Sequence, residues 1–268
     1  MKDHLRQLVD GTKGDLLKVC VAREYLQARI LRSLQEDGAF IRWAFLGGSA
    51  LRFLYSIPRY SEDLDFSTLE PEEGAGFRRA LRRLQATFDA EGYSLGIKVS
   101  EQKTVSSAFI RFPGLMYDLE LSPHLSQALS IKIELDTNPP AGAITESTLI
   151  RRHVTLNLHH HDRASLLAGK LHALLCRPWV KGRDLYDIIW YLADRSWPEP
   201  NLPFLNAALA QTDWSGPEIT ADNWRGILKD RLVSVDLEKA RADVLPFLER
   251  ERDIEFLTVD NASKLLEE

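Results

Sequence analysis

Near residue 160 the period of the hydrophobic pattern changes, and this limits the fold more than any other feature of the chain. Before that point short strand-like runs alternate with helical stretches. After it apolar residues recur only at helical spacing. The strand-like runs are 42–46, 62–67, "LGIKVS", "SAFIRF", "LSIKIELD" and "HVTLNL". Residues 15–36 carry Leu16, Leu17, Val19, Cys20, Ala22, Tyr25, Leu26, Ile30 and Leu34 at helical spacing. Pro71 and Gly92 bracket a further helix over 71–91. Beyond Asp162 the pattern predicts helices over 162–176, 183–194, 202–210, 221–233, 236–250 and 258–267. The expectation is an α+β chain: a mixed sheet with flanking helices over 1–160, then an all-helical C-terminal lobe over 161–268. With 268 residues, 44 % of them hydrophobic, such a chain has enough apolar surface for a sizeable core.

The stretch "AFLGGSALRFLYSIPRYSEDLDFS", Ala44 to Ser67, carries the clearest chemistry. An apolar strand breaks at Gly47-Gly48. Ser49 then stands where a helix cap belongs, and Pro58 closes the helix. Asp63 and Asp65 follow on the next strand. Residues i and i+2 of a strand face the same way, about 7 Å apart, so two carboxylates share a face while Leu64 and Phe66 turn to the core. Paired anions repel unless a cation lies between them. Magnesium is the expected one, since it takes hard oxygen ligands and commonly combines one or two carboxylates with substrate phosphates. The glycine turn answers to the phosphates: N–H groups at a helix start attract anions, and glycine permits close approach. Gly47, Gly48, Ser49, Asp63 and Asp65 therefore read together as a site for a nucleoside triphosphate (NTP) and its metal. In "SIKIELD", Lys132, Glu134 and Asp136 share one face and Ile131, Ile133 and Leu135 the other. Glu134 is the expected third acid, as metal ligand or general base, and Lys132 is placed to meet phosphate.

Four segments, "LGGSALRFLYSIPRYSEDLDFS", "IKIELD", "SLLAGKLHALLCR" and "KGRDLYDIIWYL", resemble in order the four motifs of the AbiEii/AbiGii toxin family, which includes the MenT-like nucleotidyltransferases of toxin–antitoxin systems. The resemblance runs from about Phe45 to Leu192. It implies a DNA polymerase β-like nucleotidyltransferase core, an NTP substrate and Mg²⁺ of the two-metal type. It implies transfer of a nucleotide to the 3′ end of tRNA, which blocks translation. It also implies a cognate antitoxin with a winged-helix domain. By motif position it assigns Gly48, Ser49, Asp63 and Asp65 to the first motif and Lys132 and Glu134 to the second. Lys170 falls in the third, and Arg183, Asp184 and Asp187 in the fourth. A nucleotide-binding module without transfer, and a transferase acting on a protein or small molecule, stand as alternatives.

Read physically, Lys170 lies between turns of an apolar helix pattern, either as a snorkelling surface residue or as a cation aimed into the cleft; the resemblance implies the second, with Lys170 neutralising triphosphate charge. Asp184 and Asp187, three apart, share a helix face, and an ion pair from Asp187 to Lys170 is the competing reading. Were these groups and the strand acids one site, it would lie in the cleft between lobes. Lys170 would then be removable with little loss of stability.

The net charge of −5 gives no global attraction to nucleic acid or membrane. Arg78, Arg79, Arg82 and Arg83 form one helix face, either solvated or a phosphate track for tRNA. His159 to His161 read as a loop rather than a metal site. Trp190, Tyr191 and Trp197 read as core. Cys20 and Cys176 read as buried free thiols. The segment "MKDHLRQLVD" lacks the apolar core of a signal peptide, and no apolar run reaches the roughly 20 residues of a membrane span, so a cytoplasmic protein is expected.

Overall fold

The computed structural model describes residues 2–71, 76–102 and 104–267. The chain divides into two compact units. One comprises Met1–Ser56, Tyr60–Pro139 and Ser147–His160; the other comprises Ile57–Arg59, Pro140–Glu146 and His161–Glu268.

The first unit opens with α1 (Lys2–Asp10) and the long α2 (Asp15–Glu36). Then come β1 (Trp43–Leu46), α3 (Gly47–Tyr55), β2 (Leu64–Thr68) and α4 (Phe77–Ala90). The expected start of α4, residues 72–75, lies outside the described residues. The chain continues through β3 (Gly96–Gln102), β4 (Val105–Phe112), the one-turn α5 (Leu115–Asp118) and β5 (Leu129–Asp136). A hairpin of β6 (Thr145–Arg152) and β7 (Val154–His161) completes a seven-stranded sheet in the order β3-β4-β5-β2-β1-β7-β6. The hairpin turns at His153, whose φ is +57°. The strand β2 is central: antiparallel to β1 and parallel to β5.

Alternation decides which way each strand faces. Along β5, Leu129, Ile131, Ile133 and Leu135 are buried, and the residues between them are half-exposed. Trp43, Phe45, Phe66 and Phe77 pack together at ring-centroid separations of 5.3–6.0 Å, anchoring β1 and β2 to α4.

The second unit is helical: α6 (Arg163–Cys176), α7 (Gly182–Leu192), α8 (Leu202–Ala210), α9 (Trp224–Val233), α10 (Leu237–Val244) and α11 (Val259–Glu267). Local caps set several starts: Asp162 accepts from Ser165 N at 2.8 Å, Asn201 from Phe204 N at 3.1 Å and Asp236 from Lys239 N at 3.1 Å. The helices α7 and α10 touch backbone to backbone. A Cβ on Gly182 would lie 1.8 Å from the Ala240 carbonyl oxygen, so only glycine fits there.

Several expectations need correction. The helix expected over 236–250 stops at Val244, because Pro246 cannot continue it and the chain tightens into a short 3₁₀ turn. The three histidines are not a loop but the end of β7. His159 bonds Ser147 at 3.0 Å, His160 is fully buried against Thr148 Oγ1 at 2.8 Å, and His161 stands edge-on to Phe204. Cys20 is buried, which pushes its thiol up to about 11, but Cys176 is only half-buried. Of the aromatic trio, Tyr191 is buried while Trp190 and Trp197 keep partial exposure; both pack on one another at 4.9 Å.

Candidate active site

Asp65 sits opposite Leu46 of β1 on one side and Glu134 of β5 on the other. Residues in register on adjacent strands face the same way, so Asp65 and Glu134 share the half-exposed face while Leu64 and Phe66 are buried. Asp63 lies one residue before β2 and shows the same half-exposure.

The glycine turn lies directly against this acid. Gly47 has φ +80°, and a Cβ there would fall 2.5 Å from Asp65 Oδ2. A side chain at 47 is thus excluded twice, by backbone conformation and by the carboxylate. The first-turn N–H groups of α3, from Gly47 onward, have no intrahelical partner and carry the positive end of the helix dipole. Ser49 does not cap the helix. It is fully buried, and its hydroxyl donates to the backbone carbonyl of Asp63, tying α3 to the entrance of β2. Its side chain thereby positions the acid strand. Lys132 Nζ pairs with Glu134 Oε1 at 2.7 Å.

The donor set suits magnesium. Asp63, Asp65 and Glu134 offer only hard carboxylate oxygens. Among the described residues no group of three His, Cys, Asp or Glu closes into a ready-made cage. Magnesium is characteristically held by one or two carboxylates plus substrate phosphates rather than by an all-protein cage.

The third- and fourth-motif residues form a cluster of their own within the helical unit. Lys170 Nζ lies 2.9 Å from Asp184 Oδ1 and 2.7 Å from Asp187 Oδ2, with its side chain only 12 % exposed. Asp187, fully buried, also receives a bidentate pair from Arg59, which is itself 2 % exposed. Arg177 pairs with Asp184. Burial works against the charge on Lys170, but Asp184 and Asp187 outweigh it and hold its pKa above the ordinary lysine value. Burial likewise pushes Asp184 up, and Lys170 and Arg177 reverse this and hold it below the usual carboxylate range. The competing reading of the Asp187–Lys170 pair is therefore the geometry found. The expectation that Lys170 is cheaply removed is wrong, because its loss would leave two buried carboxylates short of a cation. Arg183 stands outside this knot: it stacks 4.5 Å from the Phe247 ring centroid and approaches Asp243 at 3.8 Å.

Sequence reasoning missed Arg59 and Arg177. Neither lies in a periodic pattern, and an arginine after a proline in a loop carries no sign that it is buried. The basic face of α4 is partly neutralised. Arg78 pairs with Glu101 at 2.6 Å, and Arg79 and Arg83 approach Asp37 at 3.4 and 3.6 Å.

Residues 29–261 match the family model described as nucleotidyl transferase AbiEii toxin, type IV toxin–antitoxin system. The fold is similar to that of MenT4, a nucleotidyltransferase toxin from Mycobacterium tuberculosis H37Rv, at 16 % identity and a TM-score of 0.55, covering 99 % of each chain. It is also similar to JHP933 from Helicobacter pylori, at 18 % identity and a TM-score of 0.54, covering 92 % of this chain and 90 % of that one. No curated protein sequence gives a significant match.

Proposed function

Because this chain belongs to the AbiEii nucleotidyl transferase toxin family of type IV toxin–antitoxin systems, and is thus a nucleotidyltransferase, we propose that it moves a nucleoside monophosphate from an NTP to the 3′ end of tRNA in a Mg²⁺-dependent reaction and so blocks translation. The observation that carries this reading is the alignment of Asp65 with Glu134 across β2 and β5, with the Asp65 carboxylate pressed against the Gly47 turn.

In this reading the N–H groups of the Gly47–Gly48–Ser49 turn receive the triphosphate. Asp63 and Asp65 would hold two magnesium ions, which leaves Glu134 to act as the base. Bound there, the ions would supply Lewis acidity to the phosphoryl oxygens. Glu134 takes the proton of the acceptor hydroxyl, and Lys132 fixes its carboxylate. The acceptor oxygen bonds to the α-phosphorus, the bond from that phosphorus to the bridging oxygen breaks, and pyrophosphate leaves. Most of the catalytic effect comes from position and charge. The resemblance gives Lys170 and Arg183 to the triphosphate and Asp184 and Asp187 to catalysis; the ion pairs of Lys170 with Asp184 and Asp187, and of Arg59 with Asp187, instead support a role in fixing α6 and α7 within the helical unit.

The family pairs its toxins with an antitoxin. We assign this chain an antitoxin with a winged-helix domain, and a site of action in the cytoplasm. Among the described residues no helix is long and apolar enough to cross a membrane.

Incubating the protein with each radiolabelled NTP, Mg²⁺ and total tRNA tests the proposal. Label in tRNA that disappears with a chelator supports it. Label in protein or a small molecule reassigns the acceptor, and NTP binding with no label anywhere reduces the chain to a binding module.

A further inference from the structure

Taking the transferase reading as its basis, we propose that the open face of β3, β4 and β5 is the platform on which the single-stranded 3′ end of the acceptor RNA lies, with Phe109 stacking a base and Lys98, Arg111 and Lys132 meeting its phosphates.

The strand register builds this platform. Lys98 of β3 is opposite Phe109 of β4, which is opposite Lys132 of β5. One row further, Gly96, Arg111 and Ser130 align. One row the other way, Ser100, Ser107 and Glu134 align, and Glu134 continues to Asp65. A basic and aromatic row therefore runs beside the acid row on one sheet face. The opposite face of β4 is the core side, where Ser106, Ala108, Ile110 and Phe112 are buried.

Phe109, like Val105 at the start of the same face, is an exposed apolar residue. A strand with one buried and one open face normally carries polar groups on the open side. Phe109 stands there 41 % exposed, with Lys132 Nζ 5.7 Å from its ring centroid. Lys98 and Arg111 are exposed and form no ion pair among the described residues. Cations along a track, with an aromatic ring to stack on, are the recurring means of binding single-stranded nucleic acid. The positive charge is local: it stands out in a chain whose net charge is −5.

Position distinguishes acceptor from NTP. The phosphate turn follows β1, on one flank of β2. The platform lies on the other flank, beyond β5. Phosphoryl transfer places attacking and leaving oxygens roughly in line on opposite sides of the phosphorus. With the triphosphate on the β1 flank, the attacking hydroxyl arrives from the β5 flank. A cleft of about 320 Å³ opens there, lined by Asp63, Arg23, Phe109, Gln127, Ser130 and Lys132 among others. Arg23 Nε is buried in its wall and has no hydrogen-bond partner among the described residues.

The test pairs binding with turnover, using the full chain and a fluorescent single-stranded RNA ending in a free 3′ hydroxyl. Phe109→Ala should weaken binding by anisotropy about tenfold and raise KM for RNA by a similar factor, while KM for NTP stays within twofold. Phe109→Tyr should restore both. Lys98→Ala and Arg111→Ala should each reduce the slope of log K against log[salt] by about 0.7. Thermal melting checks that the variants fold; a Phe109→Ala that fails to fold passes the question to Lys98→Ala and Arg111→Ala. Unchanged RNA binding and KM in the folded variants would overturn the platform while leaving the transferase intact. A wild-type protein that labels a protein or small molecule and ignores RNA overturns the parent reading first. Tight RNA binding lost in Phe109→Ala, without any transfer, supports the platform alone.

Discussion

Asp187 and Arg59 grip each other through two parallel hydrogen bonds, and neither side chain reaches solvent. The fourth motif of the chain thus owes part of its placement to an arginine 128 positions earlier in sequence. Breaking a buried pair by removing one partner typically costs about 3–5 kcal/mol. Arg59→Met and Asp187→Ala should each lower stability by roughly that amount. Urea unfolding checks this; a loss under about 1 kcal/mol in both would show the pair to be dispensable.

Asp65→Asn keeps the shape of the side chain and removes its charge. It should abolish nucleotide transfer while the melting temperature moves by only a few degrees. Full activity in this variant would remove Asp65 from the metal-holding role.

Gly47→Ala should be far worse than its size suggests. The new methyl would need φ +80° and would sit 2.5 Å from Asp65 Oδ2. The expected result is a fall in transfer of at least about tenfold, since misplacement of about 1 Å can cost a hundredfold. The readout is kcat/KM for the NTP.

Stability should depend on acid through Glu24. Burial would raise its pKa, but His153 at 2.9 Å, together with Arg52 and Arg152, holds it at about 2 against an ordinary 4.5. A depressed carboxyl stabilises fully above its unfolded pKa. That stability, on the order of 3 kcal/mol, is lost as pH falls from about 4.5 to about 2. Glu24→Gln should flatten this part of the pH profile, measured as urea midpoints from pH 6 to pH 2.

Much of this was legible in the sequence where burial leaves a period. β5 reads directly, because Ile131, Ile133 and Leu135 alternate with Lys132, Glu134 and Asp136. The Gly47–Gly48 break and the Asp63, Asp65 spacing are equally local. The strand β6 was not legible: "TESTLIRR" has no fully buried position, so no alternation marks it. The short α1 shows only Leu5 and Val9 as buried residues, too few for a helical period to stand out. Ser49 was misread as a cap because its true partner, the Asp63 carbonyl, is 14 residues away. Arg59 and the basic and aromatic row of Lys98, Phe109 and Lys132 depend on which distant segments come into register, and one-dimensional spacing does not carry that.

The chain's brief early visit to the helical unit, at Ile57–Arg59, has a practical cost for anyone wishing to divide the molecule. A cut near residue 160 looks clean on paper, since strands end and helices begin there. Such a cut would leave the C-terminal fragment with Asp187 deprived of its guanidinium, and the N-terminal fragment with an arginine built for a dry environment it no longer has. Split reporters, domain swaps and independently expressed lobes should therefore retain 57–59 on the helical side by circular permutation or by co-expression. A simple truncation library would score the whole region as intolerant.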